Sequence, residues 1–435
     1  MPGFSTPDRY DLIICGAGPG GSAAALTLKS SGLRIALLDK TDFPRDKICG
    51  DALSGKVVSV LRYIDPALVD ALHQFEPKTG CYGIRFFSPA RECLDIPFKK
   101  NLDELEYAPG FVTKRIDFDH FLHQQCLASE HVDWFPHHPV KLVEVHEDGV
   151  KVYAGDRVFE GAVVIGADGA HSVVNKSLGL RNIDKHHHSA GVRAYVTGVT
   201  GFHERQFIEL HFLKDLLPGY FWIFPLPNGG ANVGLGMLSS DLAKTKVNLR
   251  EKLEEIIHSH PEITGRFENA RIEGPIMGFG LPLGSRRLPI SSSRCMLVGD
   301  AASLIDPFTG EGIGNAMISG RVAAQTLLLL LEKGDFSTAA FQAYDEAIYK
   351  KVGQELRISK AMQNLVNYPW LFDFFARKAN RNASLQLLLT MMFESLDLRK
   401  ELIRPSFYWN LLFGGSRKTR KLQQQVARET MAKQT

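Results

Sequence analysis

Short apolar runs that end in glycine-rich turns recur along the chain. The first, at residues 10–15, predicts a buried strand, and the small residues after its turn predict a helix. A second apolar run at residues 34–38 completes a strand–turn–helix–strand unit. From residue 336 onward the pattern is helical. This order predicts the α/β class, and antiparallel strands in the middle of the chain would make the protein α+β overall.

The first glycine-rich turn has the spacing GxGxxG and lies between the predicted strand and helix. Gly16 permits the tight turn, Gly18 lets the backbone approach a pyrophosphate, and Gly21 lets the helix pack against the strand. The helix N-terminus then presents free N–H groups to an anion. Asp39, at the end of the second strand, is placed to accept hydrogen bonds from a ribose. The motif predicts a dinucleotide site without distinguishing NAD from FAD.

Two later segments repeat this arrangement of strand, acid and glycine. A strand near Val163 ends in a turn that contains Asp168, and the strand at residues 295–298 runs into Asp300. The sequence GEGIG at residues 310–314 then opens a helix predicted over residues 315–332. Taken singly, each segment also fits an ordinary turn or loop.

Together and in this order, the three segments resemble the fingerprints of the para-hydroxybenzoate-hydroxylase-like flavoproteins. The resemblance spans residues 10 to about 330 and implies FAD in a glutathione-reductase-like Rossmann domain. It implies that Arg115 reaches the cofactor from a helix start and that Asp168 organises the fold. The residues that it assigns to the cofactor are Gly16, Gly18, Gly21, Asp39, Lys40, Arg45, Cys49, Gly50, Arg115, Asp168, Asp300, Gly312 and Ile313.

Two further stretches resemble the geranylgeranyl reductase family. Residues 43–51 (FPRDKICGD) match its PxxKxCG segment, and residues 220–225 (YFWIFP) with 234–236 (GLG) match its YxWxFP…GxG strand pair. The resemblance implies reduction of C=C bonds in a prenyl lipid, by hydride transfer from reduced flavin. It places Cys49 near the flavin as a catalytic or gating residue.

The residue types in these stretches suit that chemistry. Tyr220, Trp222 and Phe224 alternate, so on a strand they share one face. Such a face builds an apolar slot in which Tyr220 and Trp222 stabilise a cationic centre, although an aromatic core stripe would have the same pattern. Arg45 and Lys47 flank Cys49 and would lower the pKa of its thiol, whereas a buried cysteine would be inert.

The source of reducing electrons and the exact activity stay open. No second GxGxxG follows residue 21, so NAD(P)H docks transiently or a reduced carrier protein supplies the electrons. An aromatic monooxygenase of the same fold is the first alternative. A flavin-dependent halogenase is less consistent, because residues 221–227 (FWIFPLP) do not meet its WxWxIP signature. A non-catalytic prenyl-lipid carrier would be colourless or hold flavin that substrate never reoxidises.

The consecutive histidines 186–188 cannot all face one ion, so we expect a solvated loop and no metal site.

The three fingerprints predict a discontinuous domain organisation. The predicted parts are an FAD-binding domain (1–80, 105–185 and 272–335), a substrate-binding β-sheet domain (81–104 and 186–271) and a C-terminal helical region with a basic tail (336–435).

Composition and charge limit the partners. Hydrophobic residues make up 44% and charged residues 23%, typical of a soluble globular protein, and the net charge of +3 is too small to indicate nucleic acid binding. The N-terminus has no secretory signal pattern, and no apolar run approaches the roughly 20 residues of a membrane span. We therefore expect a cytoplasmic protein, soluble or on a membrane surface, that binds a hydrophobic lipid. The oligomeric state is open.

The tail at residues 416–435 carries six basic residues and one acid, a net charge of +5. Each basic residue near an anionic membrane contributes roughly 1 kcal/mol of attraction. Deleting residues 416–435 should therefore weaken sedimentation with phosphatidylserine vesicles and leave binding to phosphatidylcholine vesicles unchanged. Equal binding of the truncated and full chains to both vesicles would exclude a membrane role for the tail.

Overall fold

The computed structural model of the protein describes residues 9–180, 183–382, 385–386 and 390. Its strands are β1 (Arg9–Cys15), β2 (Ile35–Leu38), β3 (Ala52–Leu53), β4 (Thr79–Cys81), β5 (Gly83–Phe87), β6 (Cys93–Pro97), β7 (Gly110–Val112), β8 (Val132–Phe135), β9 (Val140–Val145), β10 (Val150–Ala154), β11 (Arg157–Gly166), β12 (His188–Thr197), β13 (Ile208–His211), β14 (Tyr220–Pro225), β15 (Ala231–Leu238), β16 (Arg271–Pro282), β17 (Ser291–Ser292) and β18 (Cys295–Leu297). Its α-helices are α1 (Pro19–Thr27), α2 (Gly55–Ile64), α3 (Pro66–Gln74), α4 (Arg115–Leu127), α5 (Val173–Ser177), α6 (Ser239–Thr245), α7 (Leu249–Ser259), α8 (Ile313–Lys333), α9 (Thr338–Lys351), α10 (Gly353–Leu365) and α11 (Pro369–Asn380).

A parallel sheet forms the centre of the first half of the fold. Its main order is β17-β18-β11-β1-β2-β8, and β10 and β9 extend it from β11. The pairings of β1 with β2 and β11, of β2 with β8 and of β11 with β18 are all parallel. Leu12, Ile13 and Ile14 of β1 are fully buried, as expected for a strand covered on both faces. The predicted α/β class is confirmed.

The second sheet has seven strands in the order β16-β12-β15-β14-β13-β5-β6. All its pairings are antiparallel except that of β13 with β5. On one face of β14, Phe221 and Ile223 belong to the hydrophobic cluster that also contains the buried residues of α7. The other face carries Trp222 and Phe224 in a separate cluster. This alternation is the one predicted from the sequence.

Helix α8 packs closely on α1. A Cβ atom at Gly320 would lie 2.0 Å from the carbonyl oxygen of Gly20, so only glycine permits this contact. Of the described helices, α8 alone is long and apolar enough to cross a membrane by length and composition, and 67% of its apolar stretch is buried inside the protein. Its packing on α1 is that of a core helix.

The helices after residue 336 pack against both sheets. Tyr344 of α9 donates a hydrogen bond to the carbonyl oxygen of Leu297 at 2.6 Å, and Phe372 of α11 packs edge-on against Phe212 at 5.0 Å. The division into three parts remains a prediction, although β16 lies in the seven-stranded sheet and the predicted FAD-binding segment begins at residue 272. The basic tail lies outside the described residues.

Candidate active site

The first glycine-rich turn connects β1 to α1 in a conformation that requires glycine. Gly16 has a φ of +107°, and a Cβ atom there would lie 2.4 Å from the carbonyl oxygen of Ala167. Gly18 is the N-cap of α1, and no side chain caps the helix. The first N–H groups of α1 are therefore available to an anion.

Gly21 differs from the other two glycines of the motif because it does not line the cavity described below. A Cβ atom at Gly21 would lie 1.9 Å from the carbonyl oxygen of Gly16. Gly21 therefore lies where α1 packs closely on the turn after β1, and an effect of this residue on the cofactor would be indirect.

Asp39 lies at the carboxyl end of β2, next to this turn, and is 5% exposed. Its carboxylate accepts hydrogen bonds from the backbone N–H groups of Ala17 at 3.0 Å and Thr41 at 3.2 Å. These bonds fix the carboxylate beside the helix N-terminus, where an adenosine ribose would lie. Lys40 is exposed at the edge of the same cavity.

Two arginines join Asp39 to α4. The Arg45 guanidinium donates to Asp39 and to Asp119, both at 3.2 Å. Arg115 makes a bidentate pair with Asp119, with N–O distances of 2.6 and 2.7 Å. Burial alone would lower the pKa of Arg115, but the Asp119 carboxylate raises it above its ordinary range. The Nε atom of Arg45 is buried without a hydrogen-bond partner among the described residues.

Asp168 organises the turn after β11. It accepts hydrogen bonds from the Ser172 hydroxyl at 2.5 Å and from the backbone N–H groups of Val173 and Val174 at 2.7 and 3.1 Å. The carboxylate therefore satisfies the first turn of α5. This contact set agrees with a fold-organising function for Asp168, which also lines the cavity.

The third segment follows β18. Asp300 accepts a hydrogen bond from the Lys47 ammonium at 2.8 Å. Gly312 is the N-cap of α8 and Ile313 its first residue, and no side chain caps this helix. A second free helix N-terminus thus lies beside Asp300.

All three segments open into one cavity of about 1670 Å³. The volume exceeds the roughly 300–1,000 Å³ of ordinary single-ligand sites, so the cavity has room for a cofactor and a second molecule. Of the thirteen predicted cofactor residues, twelve line it: Gly16, Gly18, Asp39, Lys40, Arg45, Cys49, Gly50, Arg115, Asp168, Asp300, Gly312 and Ile313.

The opposite side of the cavity is apolar and aromatic. Tyr220, Trp222 and Phe224 lie in a row, with successive ring centroids 6.2 and 6.1 Å apart. The Tyr220 hydroxyl donates to the carbonyl oxygen of Thr309 at 3.2 Å, in the segment before α8. The apolar residues that line this side are Ile84, Phe86, Leu210, Phe212, Tyr220, Trp222, Phe224, Phe308, Met362 and Val366.

The two glycines of β15 that belong to the GxG motif, Gly234 and Gly236, differ in what lies beside them. A Cβ atom at Gly234 would lie 2.3 Å from the Trp222 ring, so this glycine accommodates the tryptophan itself. Gly236, where a Cβ atom would have no neighbour closer than 3.6 Å, does line the cavity. Of these two glycines, only Gly236 therefore leaves space on the cavity side.

The Cys49 loop lies against the aromatic row. A Cβ atom at Gly50 would lie 3.1 Å from the Phe224 ring, and Cys49 is half-buried. Arg45 and Lys47 were expected to act on the thiol, but they pair with Asp39, Asp119 and Asp300. Arg115 is a cation that interacts with Cys49. The Asp119 carboxylate and the Cys49 thiol both raise the pKa of Arg115.

Sequence reasoning did not identify two polar residues below this loop. Asn232 of β15 is fully buried, accepts a hydrogen bond from the Trp222 indole at 2.9 Å and donates to the Cys49 carbonyl oxygen at 2.8 Å. It also donates to Asp51 at 2.8 Å. The only sequence signal for Asp51 was its position directly after the cysteine–glycine pair, and Asn232 had none.

A half-buried ionic cluster connects α2, α8 and α10 at the cavity wall. Lys56 contacts Asn315 at 3.1 Å, Glu311 at 3.4 Å and Glu355 at 2.9 Å, and Ser54 donates to Glu311. Burial opposes the charge on Lys56, but the Glu311 and Glu355 carboxylates raise its pKa to about 12. The cluster holds the loop before α8 in place.

These residues fit FAD. The free N-termini of α1 and α8 and the unpartnered donor of Arg45 suit a pyrophosphate, and Asp39 and Asp300 suit hydroxyl groups on either side of it. The fold and this site define a flavin-dependent oxidoreductase. Residues 9–356 match the family described as FAD binding domain, and the chain belongs to that family. The prediction of FAD is confirmed.

Similar proteins extend this result. The chain is 28% identical to digeranylgeranylglycerophospholipid reductase of Methanosarcina mazei over 82% of this chain and 84% of that protein. It is 27% identical to menaquinone reductase of Mycobacterium tuberculosis over 84% and 86%. A geranylgeranyl bacteriochlorophyll reductase-like protein from Thermoplasma acidophilum has the same fold, with a TM-score of 0.72 at 22% identity over 97% and 100%. The predicted resemblance to geranylgeranyl reductases is confirmed.

The difference between Gly18 and Gly21 gives a test of the cofactor site. At Gly18 a Cβ atom would have only the Arg45 guanidinium as a neighbour, at 3.6 Å. Gly18→Ala should leave the Tm of the apoprotein unchanged but weaken FAD binding at least tenfold, about 1.4 kcal/mol, because the methyl group blocks the approach of the pyrophosphate.

The measurements are apoprotein melting curves and FAD titrations followed by flavin fluorescence. Gly21→Ala is the matched control and should lower the Tm of the apoprotein, since its methyl group clashes with the Gly16 carbonyl. Wild-type FAD affinity in Gly18→Ala would contradict the placement of the pyrophosphate at this turn.

Proposed function

We propose that this protein reduces C=C bonds in the isoprenoid chain of a lipid. The observation that carries the proposal is the continuity of the cavity, which joins the FAD-binding residues to the apolar row of Tyr220, Trp222 and Phe224. An isoprenoid chain matches such a wall because it is long, flexible and apolar. The relatives named digeranylgeranylglycerophospholipid reductase and menaquinone reductase support the same substrate class.

The chemistry follows from the lack of activation in the substrate. An isolated alkene has no carbonyl group to stabilise a carbanion, so protonation to a tertiary, cation-like centre must accompany hydride delivery. Bound FAD in its reduced form supplies hydride chemistry. The ring faces of Tyr220 and Trp222 stabilise the cation by about 2 kcal/mol when water is excluded, and Trp222 is 5% exposed.

The proposal assigns the remaining predicted residues as follows. Cys49 lies on the loop between the cofactor residues and the aromatic row and acts as a catalytic or gating residue. The thirteen cofactor residues hold FAD, with Gly21 acting through the packing of α1. Electrons arrive from NAD(P)H that docks transiently or from a reduced carrier protein.

We further propose that the protein works in the cytoplasm on a membrane surface. Its lipid substrate would reside in the membrane, and the tail at residues 416–435 carries a net charge of +5 that suits anionic headgroups. A prenyl-lipid substrate and a basic tail would each contribute weakly to membrane binding, and the two contributions would add.

The proposed reaction predicts that lipid reoxidises the reduced enzyme. After anaerobic reduction with dithionite, digeranylgeranylglycerophospholipid in detergent micelles should restore the oxidised flavin spectrum and give a product heavier by two mass units per saturated bond. The saturated lipid is the control and should have no effect. Reoxidation only by oxygen, with hydroxylation of an aromatic compound, would support the monooxygenase alternative. No reoxidation by any prenyl lipid would exclude the proposal.

Rapid reoxidation of the enzyme by lipid should require an aromatic ring at position 222. Trp222→Leu should slow lipid-dependent reoxidation about 30-fold, the equivalent of about 2 kcal/mol, while lipid binding stays within threefold. Trp222→Phe loses the same hydrogen bond to Asn232 but keeps a ring face, so it should retain most of the rate. Stopped-flow absorbance measures both variants, and equal rates would refute cation stabilisation at this position.

A further inference from the structure

We propose that Asp51 supplies the proton that the alkene takes up in the reaction proposed above. The inference rests on that proposed function and identifies a proton donor for it. Among the described carboxyl groups of the cavity wall, Asp51 combines a position beside the aromatic row with neutral hydrogen-bond partners and no ion pair to a described residue.

The position of Asp51 is between the two halves of the cavity. It follows Cys49 and Gly50 on the loop that packs against Phe224, and it lines the cavity. Its side chain is fully buried, and its backbone has a φ of +69°. This conformation is uncommon for residues other than glycine, and Asp and Asn adopt it more readily than most. The fold therefore holds the carboxyl group in a defined place below the aromatic row.

The partners of Asp51 are neutral groups. One oxygen accepts a hydrogen bond from the Asn232 amide at 2.8 Å and the other from the Arg115 backbone N–H at 3.3 Å. Among the described residues no cation forms an ion pair with Asp51: the Arg115 guanidinium pairs with Asp119, and Arg193 pairs with Asp46. A carboxyl group without a cationic partner keeps its proton more easily than a paired one.

A neighbouring hydroxyl offers an acceptor for the O–H of a protonated Asp51. Tyr195 of β12 is adjacent to Asp51 and acts on its charge. The Tyr195 hydroxyl is buried and has no hydrogen-bond partner of ordinary geometry among the described residues. A protonated Asp51 needs an acceptor for its O–H, and this oxygen is the unused acceptor beside it.

Several other carboxyl groups of the cavity wall are committed elsewhere. Asp39 and Asp300 pair with Arg45 and Lys47. Asp168 accepts from the first turn of α5, and Asp306 accepts from the backbone N–H groups of the loop before α8. Each of these four stabilises local backbone or an ion pair, and protonation would break those contacts.

The electrostatic environment places the titration of Asp51 near neutrality. Burial raises its pKa to about 6, although the hydrogen bond from Asn232, the neighbouring Tyr195 hydroxyl and the charges of Arg193 and Arg115 oppose the shift. A general acid is most effective when its pKa lies near the working pH. The titratable and charged groups that act on Asp51 are Arg115, Arg193 and Tyr195. Cys49 acts on Arg115, and Asp46 acts on Tyr195.

The proposed step balances. The Asp51 O–H bond breaks and its proton forms a C–H bond at one alkene carbon, while hydride and its electron pair go to the other carbon. The alkene is reduced, the cofactor is oxidised, and Asp51 is left as a carboxylate. Water from the cavity mouth then returns the proton to Asp51 before the next turnover.

Asp51→Asn tests this inference because asparagine keeps the shape, the acceptor for Asn232 and the tolerance of positive φ. The FAD-loaded variant should be reduced by dithionite as the wild type is. Its reoxidation by digeranylgeranylglycerophospholipid should be at least 100-fold slower, the lower limit for loss of a general acid. The wild-type rate should fall tenfold per pH unit above about pH 6, and the residual rate of the variant should not depend on pH.

The matched control is Asp117→Asn, which should have wild-type rates. Asp117 is a half-buried aspartate of α4 that does not line the cavity.

A second readout does not involve catalysis. Because the pKa of Asp51 is raised in the folded state to about 6 from a model-peptide value near 4, the folded protein binds more protons than the unfolded chain between these values. Stability therefore falls as the pH rises through this window. The Tm of the FAD-loaded wild type should decrease relative to that of Asp51→Asn between pH 4 and pH 7 and stay parallel above it.

The outcomes separate the two proposals. A slow, pH-independent Asp51→Asn variant with the expected change in relative Tm supports the inference. Reoxidation of Asp51→Asn within threefold of the wild type overturns it and leaves the proposed function intact. A wild type that no prenyl lipid reoxidises overturns both, whatever the variant does.

Discussion

The close contact between α1 and α8 is the constraint on which the cofactor site depends. Gly20 and Gly320 bring the two helices to backbone distance, and this contact places the two uncapped N-termini side by side at one cavity. Each N-terminus carries a partial positive charge and unsatisfied N–H groups. Two such ends together provide an anion site that neither helix could provide alone. The positions of Asp39 and Asp300 follow from it, because each lies at the end of a strand beside one of these helices.

The aspartates of the site differ in whether they form ion pairs with arginine. Asp39 and Asp119 share Arg45, and Asp119 also binds Arg115, so these ion pairs hold the first half of the site together. Asp51 lies close to Arg115 but receives only its backbone N–H. The guanidinium that would otherwise neutralise Asp51 is held by Asp119. The network thus stabilises the fold on one side and leaves an unpaired carboxyl group on the other.

The local parts of the site could be predicted from the sequence, because a glycine turn and its helix lie within a few residues of each other. The strand at residues 10–15, the helix at 315–332 and the alternation of β14 all have close counterparts in the structure. The side-chain partners could not be predicted. Asn232 contacts Asp51 across 181 residues, and Lys47 contacts Asp300 across 253, separations at which no periodic pattern gives a signal. The ion pairs of Arg45 and Lys47 with Asp39, Asp119 and Asp300 gave no signal for the same reason.

The order in which the site is assembled along the chain has a consequence for synthesis. Gly20 and Gly320 are 300 residues apart, and the central strands β1, β11 and β18 come from three distant segments. A chain emerging from the ribosome at about 5–20 residues per second exposes α1 for tens of seconds before α8 exists. The site for FAD is therefore complete only after α8 has been synthesised, and until then the face of α1 that packs on α8 stays uncovered.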